Sequence, residues 1–348
     1  MATARDTEII ASVLSKILND DGYAFDNIFT KVPLVHYMLA KDNKDSKTLG
    51  TNNRVRKLDG GLDIEIPLEY AVGSSMQFFD NLDVITFAQK GTMTNAKYDW
   101  KHAAQTLLMD NKDILKCKGE SRKITNLVGS KLRNMNRSMA TSINTALLAI
   151  TPGSKDFHSI PEMVAKTPTS GTVGGINRAT ASNSWWRNKI KSSSATTYEL
   201  LIKDIDNLRN TIAYNMAGDA PDLMLTDQIV FEYIIAYMRA KGTHTFNNEE
   251  MSNVLGVDVK KARGMDLIWD TGVPILDASK STIYLLNTDY LQFCVHEDRQ
   301  FALEGPQKLI FAQGQDATAW VVFLMGNMTT SNSSKQGVIY NIAQNIAA

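Results

Sequence analysis

The sequence predicts an α+β protein, and three patterns support that prediction. An uninterrupted amphipathic stripe over residues 122–149 predicts one unusually long helix. Alternating apolar and charged residues over 62–66 predict a β-ribbon with one solvated face. A helix, a short apolar strand and a second helix follow one another over 198–238, which is an α/β pattern. The chain therefore combines a helical spine, an exposed ribbon and an α/β unit.

Composition places the chain among ordered globular proteins. It has 348 residues, of which 43% are hydrophobic and 21% are charged. Its 37 basic and 37 acidic residues cancel, whereas proteins that mainly bind nucleic acid are usually basic. Cys117 and Cys294 lack metal-ligand spacing and fit a reducing compartment. Because no signal-like or membrane-length apolar run occurs, we expect folding in a cytoplasm and no membrane partner.

Residues 1–53 predict helix followed by polar chain. Apolar residues recur at helical spacing over 9–18, and further apolar anchors over 25–39 are interrupted by Pro33. The run 41–53 is polar and has no periodicity. We interpret this region as an arm laid over a surface; two helices packed on their own domain explain it equally well.

Residues 54–88 predict a β-hairpin. Gly60 and Gly61 signal a turn, and Ile64 and Ile66 alternate with charged residues. Residues 84–87 predict the returning strand. Since an isolated two-stranded ribbon is only marginally stable in water, we expect this one to lean on another surface.

Residues 122–149 predict the longest helix. No proline interrupts it, Gly129 alone weakens it, and Pro152 with Gly153 ends it. About 27 residues at 1.5 Å each span roughly 40 Å. A coiled coil is the alternative, but the stripe is single and ends abruptly. The stripe consists of Ile124, Val128, Leu132, Met135, Met139, Ile143 and Leu147.

The second half of the chain predicts two helices among short strands. The helices are predicted at 198–212 and 227–238, with a buried strand at 221–226 between them. Further strands are predicted at 264–270, 273–277, 282–286, 307–311 and 319–325.

The segment 171–188 reads Gly-Thr-Val-Gly-Gly-Ile-Asn-Arg-Ala-Thr-Ala-Ser-Asn-Ser-Trp-Trp-Arg-Asn. Gly174 and Gly175 predict a loop, because glycine adopts backbone conformations that other residues resist. At least one of Trp185 and Trp186 should be buried and hold the loop to another element.

This segment closely resembles the Gly-Gly-Ile-(Asp/Asn)-Arg…Trp-Trp-Arg segment of tailed-bacteriophage major capsid proteins, which have the Hong Kong ninety-seven-type fold. Looser similarities lie at residues 92–100, which resemble the strand that brings the family's extended loop back, at the Pro-Asp-Leu run of 221–226 and at the Gln-Gly turn of 336–337. The resemblance implies an N-terminal arm (1–48), an extended loop (49–100), a peripheral domain (101–195) with spine helix 122–149, an axial α/β domain (196–294), and peripheral return strands with the C-terminus (295–348).

The resemblance also implies a structural function. The chain would assemble into hexamers and pentamers of an icosahedral or prolate phage head enclosing double-stranded DNA. Its partners would be further copies of itself, a portal, a scaffold and decoration proteins, and its location would be a virion assembled in host bacterial cytoplasm. Two alternatives stay open: an encapsulin-type nanocompartment shell, and an α/β enzyme whose site has no recognised motif.

Two sets of residues follow as candidates. Contact between subunits through the extended loop is expected from Arg54, Arg56, Asp63 and Glu65. The domain junction is expected to depend on Gly174, Gly175, Arg178, Trp185, Trp186 and Arg187.

Catalytic motifs are not apparent in the sequence. It has no nucleophile elbow, no zinc-protease helix and no P-loop lysine. Its five histidines occupy unrelated contexts, so we expect each to be a surface or satisfied core residue. We therefore expect no enzyme activity, no cofactor and no metal. Lys57 and several asparagines exist, but nothing selects a pair for an isopeptide crosslink.

A basic bias marks the region 101–141, which has nine basic and three acidic residues. A solvated helix face is one explanation. The alternative is a face that lines the lumen of a shell and screens DNA phosphates without reading sequence. Its candidate residues are Lys123, Lys131, Arg133 and Arg137.

Overall fold

The computed structural model describes residues 32–39, 55–71, 73, 76–81, 83–84, 91–112, 121–214, 219–241, 260–276, 280–309 and 314–347. The helix predicted over 9–18, Arg54 and Cys117 lie outside these residues.

Helices and strands occupy the following ranges of the described chain. The helices are α1 (Pro33–Leu39), α2 (Ser121–Leu147), α3 (Ile160–Met163), α4 (Tyr198–Ala213) and α5 (Gln228–Ala240). The strands are β1 (Val55–Leu58), β2 (Ile64–Glu69), β3 (Met93–Tyr98), β4 (Lys101–Asp110), β5 (Thr172–Val173), β6 (Ile176–Asn177), β7 (Lys189–Ser192), β8 (Leu223–Thr226), β9 (Lys260–Ala262), β10 (Met265–Trp269), β11 (Lys280–Leu286), β12 (Leu291–Lys308), β13 (Ala317–Thr330) and β14 (Gly337–Ala343).

A four-stranded sheet in the order β1-β12-β13-β4 supports the long helix. β12 and β13 form a long antiparallel hairpin, β4 pairs antiparallel with β13, and β1 runs parallel to β12. The predicted strand 319–325 is thus part of the longer β13, whereas only Gln307 and Lys308 of the predicted strand 307–311 belong to β12; 310–311 lie outside the described residues. Alternate residues of β13, such as Trp320 and Val322, point into the core.

The spine helix α2 lies against β4 and is confirmed as the longest helix. It ends at Leu147, two residues before the predicted end. The described part of its apolar stripe, Met135, Met139, Ile143 and Leu147, is buried. Its opposite face carries the exposed Arg137. The side chains of residues 121–130 are outside the described set.

A six-stranded mixed sheet in the order β7-β14-β11-β8-β10-β9 forms the α/β unit. Leu223 and Leu225 of β8 face the larger core, which this sheet shares with α1 and α2. Met224 faces the second core, which lies under α4 and α5. Both faces of β8 are therefore buried, and this explains why its sequence is a continuous apolar run.

One expectation for this half of the chain needs correction. Residues 273–276 form no strand, because Val273 N–H donates to the Asp270 carbonyl (3.3 Å) in a turn. β7 and β14 pair with each other in the six-stranded sheet, which therefore contains strands from both 101–195 and 295–348. The expected domain boundaries stay a prediction.

The ribbon is a two-stranded sheet of β2 and β3. Ile64 and Ile66 are buried and alternate with exposed residues, as predicted. The returning strand is β3 rather than 84–87: Val84 is exposed and lies in no strand, and 85–87 fall outside the described residues. Gly60 and Gly61 have positive φ but separate β1 from β2, which belong to different sheets.

Helix α1 packs inside its own chain. Leu34, Val35, Tyr37 and Met38 are buried, and the helix contacts α2, β10 and β12. The Tyr37 hydroxyl also donates to Asp266 Oδ2 at 3.1 Å. This part of the segment expected to be an arm is therefore core, because its apolar residues form one helical stripe that the spine helix covers.

Candidate domain junction and assembly surface

The segment 171–188 folds as a tight hairpin followed by a 3-10 helix. Gly174 and Gly175 connect β5 and β6 with φ values of 58° and 74°. Two successive positive φ values are the requirement of a type I′ hairpin turn, which glycine meets without strain. The 3-10 helix spans Ala181–Trp186. The predicted loop thus has regular structure, and the paired glycines account for its turn.

Gly174 lies directly against the root of the ribbon. The Lys97 amide on β3 donates to the Gly174 carbonyl at 3.0 Å. A Cβ on Gly174 would lie 2.9 Å from Tyr98 Oη and 3.0 Å from Ala96 Cβ, whereas one on Gly175 would meet nothing within 4 Å. Only glycine therefore allows this backbone to approach β3 so closely.

Tyr98 connects the same point to the four-stranded sheet. Its hydroxyl donates to the Thr330 carbonyl at 2.9 Å, and burial raises the pKa of Tyr98. Gly174, β3 and the end of β13 thus meet around one buried phenol.

Arg178 is a buried cation held by carbonyl groups. Its Nη1 donates to the Met163 carbonyl (3.0 Å) and to Asn188 Oδ1 (3.4 Å), and its Nη2 to the Glu162 carbonyl (3.2 Å). Burial lowers the pKa of Arg178, although the Glu162 carboxylate opposes that shift. The guanidinium fork therefore fixes the segment to α3.

Arg187 closes the turn that Arg178 begins. Its Nε donates to the Arg178 carbonyl at 2.8 Å, and its Nη2 donates to the carbonyls of Ala179 (3.3 Å) and Thr180 (3.2 Å). Asn188 Nδ2 donates to the Ala165 carbonyl at 2.9 Å. The two arginines of the motif therefore donate to backbone carbonyls on both sides of the segment: Arg178 to those of α3, and Arg187 to those between β6 and the 3-10 helix.

The two tryptophans differ in burial and contact different parts of the chain. Trp186 is fully buried, and its indole N–H donates to the Val173 carbonyl at 3.0 Å. Trp185 is half-buried and stacks on Tyr70 at the end of β2, with centroids 5.2 Å apart. The expectation that at least one tryptophan is buried is confirmed.

A histidine–glutamate pair borders this cluster. His158 Nδ1 lies 2.8 Å from Glu162 Oε2, and the His158 ring packs edge-on against Tyr98. Burial alone would raise the pKa of Glu162, but hydrogen bonds from His158 and the Ser159 amide, with the charges of His158 and Arg178, lower it overall. Glu162, Asn188, Tyr70 and Tyr98 were not singled out as site residues from the sequence; Asn188 ends the motif, and Tyr98 lies within the similar segment 92–100.

All six expected junction residues thus lie in one cluster, while the expected loop residues do not. Arg56 lies on β1 in the four-stranded sheet, and Asp63 precedes β2. Glu65 pairs within its own ribbon with Lys97 at 2.8 Å. The Lys97 hydrogen bond and charge lower the pKa of Glu65. Contact with another subunit through these residues stays a prediction.

The extended loop carries an exposed apolar patch that sequence reasoning missed. Phe78 and Phe79 are 89% and 65% exposed, although the residues are large and aromatic. The run Met-Gln-Phe-Phe at 76–79 breaks the alternation of the ribbon and was the available signal. The patch consists of Met76, Phe78 and Phe79, which are neighbours in the chain; Leu62, Val84 and Met93 are further exposed apolar residues of 49–100.

The two described side chains of the basic face differ in exposure. Lys131 is half-buried, and its ammonium donates to the Leu108 carbonyl at 3.1 Å, whereas Arg137 is exposed. The side chains of Lys123 and Arg133 lie outside the described residues.

No group of three or more His, Cys, Asp or Glu side chains among the described residues is placed to hold a metal ion. None of the described helices is both long and apolar enough to cross a bilayer.

No protein-family model matches the sequence, and no curated protein matches it. The structure is similar to the cyanophage A-1(L) capsid protein, with 13% identity, a TM-score of 0.62, and coverage of 90% of this chain and 93% of that one. It is also similar to the capsid protein of a native GTA particle, with 8% identity, a TM-score of 0.56 and coverage of 94% and 99%. An encapsulin from Synechococcus elongatus matches with 11% identity, a TM-score of 0.50 and coverage of 90% and 97%.

The predicted fold is confirmed by these similarities: the chain has the Hong Kong ninety-seven-type fold of phage major capsid proteins, combining α and β structure. Encapsulins share this fold.

Proposed function

We propose that this chain is the major capsid subunit of a tailed phage, a structural protein and not an enzyme. Copies assemble into hexamers and pentamers of an icosahedral or prolate head. The apolar patch of the extended loop is the observation that carries the proposal, because the described part of its own chain leaves it uncovered. The capsid-type fold supports the same conclusion.

The energetics of the patch favour association. Burying one large apolar side chain contributes roughly 1.5–3 kcal/mol. The patch has three such side chains close together in the chain, and monomeric soluble proteins rarely expose large contiguous apolar surfaces. A contact between two different surfaces of identical copies repeats from one copy to the next, so it produces rings when the rotation closes. Association through this loop therefore gives capsomers rather than isolated dimers.

Further partners follow from this assignment. The head encloses double-stranded DNA and joins a portal, and a scaffold and decoration proteins act during or after assembly. The subunit is then a virion component assembled in the cytoplasm of a bacterial host.

The second candidate is an encapsulin-type compartment, which the similarity to the Synechococcus elongatus encapsulin supports. The two kinds of particle differ in what they enclose. Particles purified from the native host separate them: a phage head contains nuclease-protected double-stranded DNA, whereas a compartment contains protein cargo.

Electron microscopy and sedimentation velocity of the purified chain test the assembly proposal. Rings, tubes or closed shells are expected for the wild type at high concentration with a crowding agent. The double substitution Phe78→Ser with Phe79→Ser should shift the chain to monomer without changing its melting temperature.

Tyr214→Ser is the matched control, because it removes an exposed aromatic ring at the end of α4, outside the patch. It should assemble normally. A wild-type chain that stays monomeric at every concentration, alone and with crowding agent, would contradict the proposal.

A further inference from the structure

A cavity of about 480 Å³ opens at the root of the extended loop. One wall is aromatic, since Tyr70 and Trp185 line it together and stack on each other. Leu68 of β2 and Tyr290 also line it. Cavities that hold drug-sized ligands measure roughly 300–1,000 Å³, so this one has room for large apolar side chains.

The two lysines that line the cavity differ in whether they form an ion pair. Lys335 lines it but pairs with Asp219 at 3.1 Å, and the Tyr290 hydroxyl donates to the same carboxylate at 2.9 Å. Lys189 also lines the cavity, and its ammonium has no ion-pair partner among the described residues. Glu69 is the acidic residue of the lining. Lys189 is thus the cation that can attract an acidic group arriving from outside.

The tip of the extended loop has the complementary chemistry. Phe78 and Phe79 are followed by a turn in which Asp83 N–H donates to the Asp80 carbonyl at 2.9 Å. The Asp83 carboxylate accepts the Asp80 N–H at 3.0 Å, and the Asp80 carboxylate accepts the Asn81 N–H at 2.8 Å. These bonds pre-form a turn that presents two aromatic rings beside two acidic groups, which lowers the ordering cost of docking.

We propose that the cavity of one copy receives the loop tip of a second copy. Phe78 and Phe79 pack on the Tyr70–Trp185 wall, and the acidic turn lies towards Lys189. The chain's own tip does not fill its own cavity, because both phenylalanines are exposed. Tip and cavity are different surfaces, so the contact is head-to-tail, and it forms a ring when the rotation between successive copies closes. This inference rests on the proposed assembly function and names its receptor site.

Disulfide trapping tests the contact. Asn81→Cys places a thiol on the turn and keeps the rings and carboxylates, and Ser331→Cys is a near-isosteric change in the cavity lining. Under mild oxidation the double variant should give covalent dimers and a ladder of longer products on a non-reducing gel. A mixture of the two single variants should give dimers only, which shows that the bond joins separate copies.

The control pairs Asn81→Cys with Ser154→Cys, an exposed serine that does not line the cavity. It should lose the ladder. Equal ladders from both pairs, or dimers from Asn81→Cys alone, would overturn the tip-in-cavity contact. The same holds if rings form in the microscope but no disulfide joins the test pair; the assembly function then stands. If no oligomer forms at all, the assembly proposal itself fails.

Discussion

The indole ring of Trp185 stacks on the phenol ring of Tyr70, with centroids 5.2 Å apart and planes inclined by 18°. Tyr70 directly follows the first strand of the ribbon, and Trp185 belongs to the 3-10 helix of the Gly-Gly…Trp-Trp-Arg segment. Such pairs contribute about 0.5–1.5 kcal/mol beyond their buried area. The segment therefore positions the root of the extended loop, and with it the surface that we propose for assembly.

Gly174→Ala should destabilise the fold much more than Gly175→Ala. Both residues have positive φ, so each alanine costs about 1 kcal/mol in backbone strain. At Gly174 the new Cβ also lies within 3.0 Å of Tyr98 and Ala96 atoms, and overpacking adds about 1–3 kcal/mol. Chemical denaturation should show the difference as a lower unfolding midpoint for Gly174→Ala. Equal midpoints would show that β3 moves aside without cost.

Trp186→Phe should lower the free energy of unfolding by about 1–3 kcal/mol, because the buried Val173 carbonyl loses its donor. Trp185→Phe is the matched control: its indole N–H has no hydrogen bond among the described residues, and phenylalanine retains a ring for stacking on Tyr70. We expect less than about 1 kcal/mol for that change. Denaturant titration monitored by circular dichroism measures both. A Trp186→Phe protein as stable as the wild type would show that another group satisfies Val173.

Acidification should weaken the cluster around α3 through Glu162. Its pKa in the folded protein lies below the ordinary 4.5, so its contribution to stability is complete above that value. The contribution is lost as pH falls through the folded pKa, because the unfolded chain then binds more protons. Melting temperatures measured from pH 7 to pH 3 should therefore fall more steeply below about 4.5 in the wild type than in Glu162→Gln.

Glu199→Gln serves as the comparison for that pH series, since it changes an exposed glutamate in the first turn of α4. Its melting curve should follow the wild-type curve throughout. If Glu162→Gln does the same, the carboxylate does not contribute to stability in the way proposed.

Local patterns predicted the elements that one stretch of chain determines by itself. The spine helix, α4, β8 and α5 follow from apolar spacing and from caps such as Asp227, whose carboxylate accepts the Val230 N–H at 3.0 Å. The turn at Gly174 follows from its paired glycines. The site residues Arg178, Trp186 and Arg187 were identified by resemblance, and the structure adds the carbonyls that they satisfy.

Local sequence patterns did not predict which distant segments pair as strands. Local composition favours 84–87 over 93–98 as the partner of β2, because Val-Ile-Thr-Phe is rich in strand-forming residues and Met-Thr-Asn-Ala-Lys-Tyr is not. The exposure of Phe78 and Phe79 was missed for a related reason: a sequence run shows that residues are apolar, not whether their own chain covers them. Side-chain hydrogen bonds, such as the one from the Lys131 ammonium to the Leu108 carbonyl, likewise depend on which strand lies beside the helix.

Arg137 and Lys131, the two residues of the basic face whose side chains are described, should differ in their contribution to DNA retention. Arg137 is exposed, so its guanidinium is available to DNA phosphates inside an assembled head, whereas the Lys131 ammonium is bonded to the Leu108 carbonyl. Arg137→Ala should weaken DNA retention and reduce the salt dependence of binding, by a slope of about 0.9 for each phosphate that the variant no longer neutralises. Lys131→Ala should leave retention unchanged and lower the melting temperature.

Filled particles dialysed through increasing salt concentrations, with protected DNA measured at each step, make this comparison directly. Equal retention by wild type and Arg137→Ala would favour the solvated-face interpretation of region 101–141. A loss of retention in Lys131→Ala at unchanged melting temperature would mean that its bond to Leu108 opens in the assembled shell. Weaker retention confined to Arg137→Ala, with a lower salt slope, would identify this exposed face of α2 as the surface that meets packaged DNA.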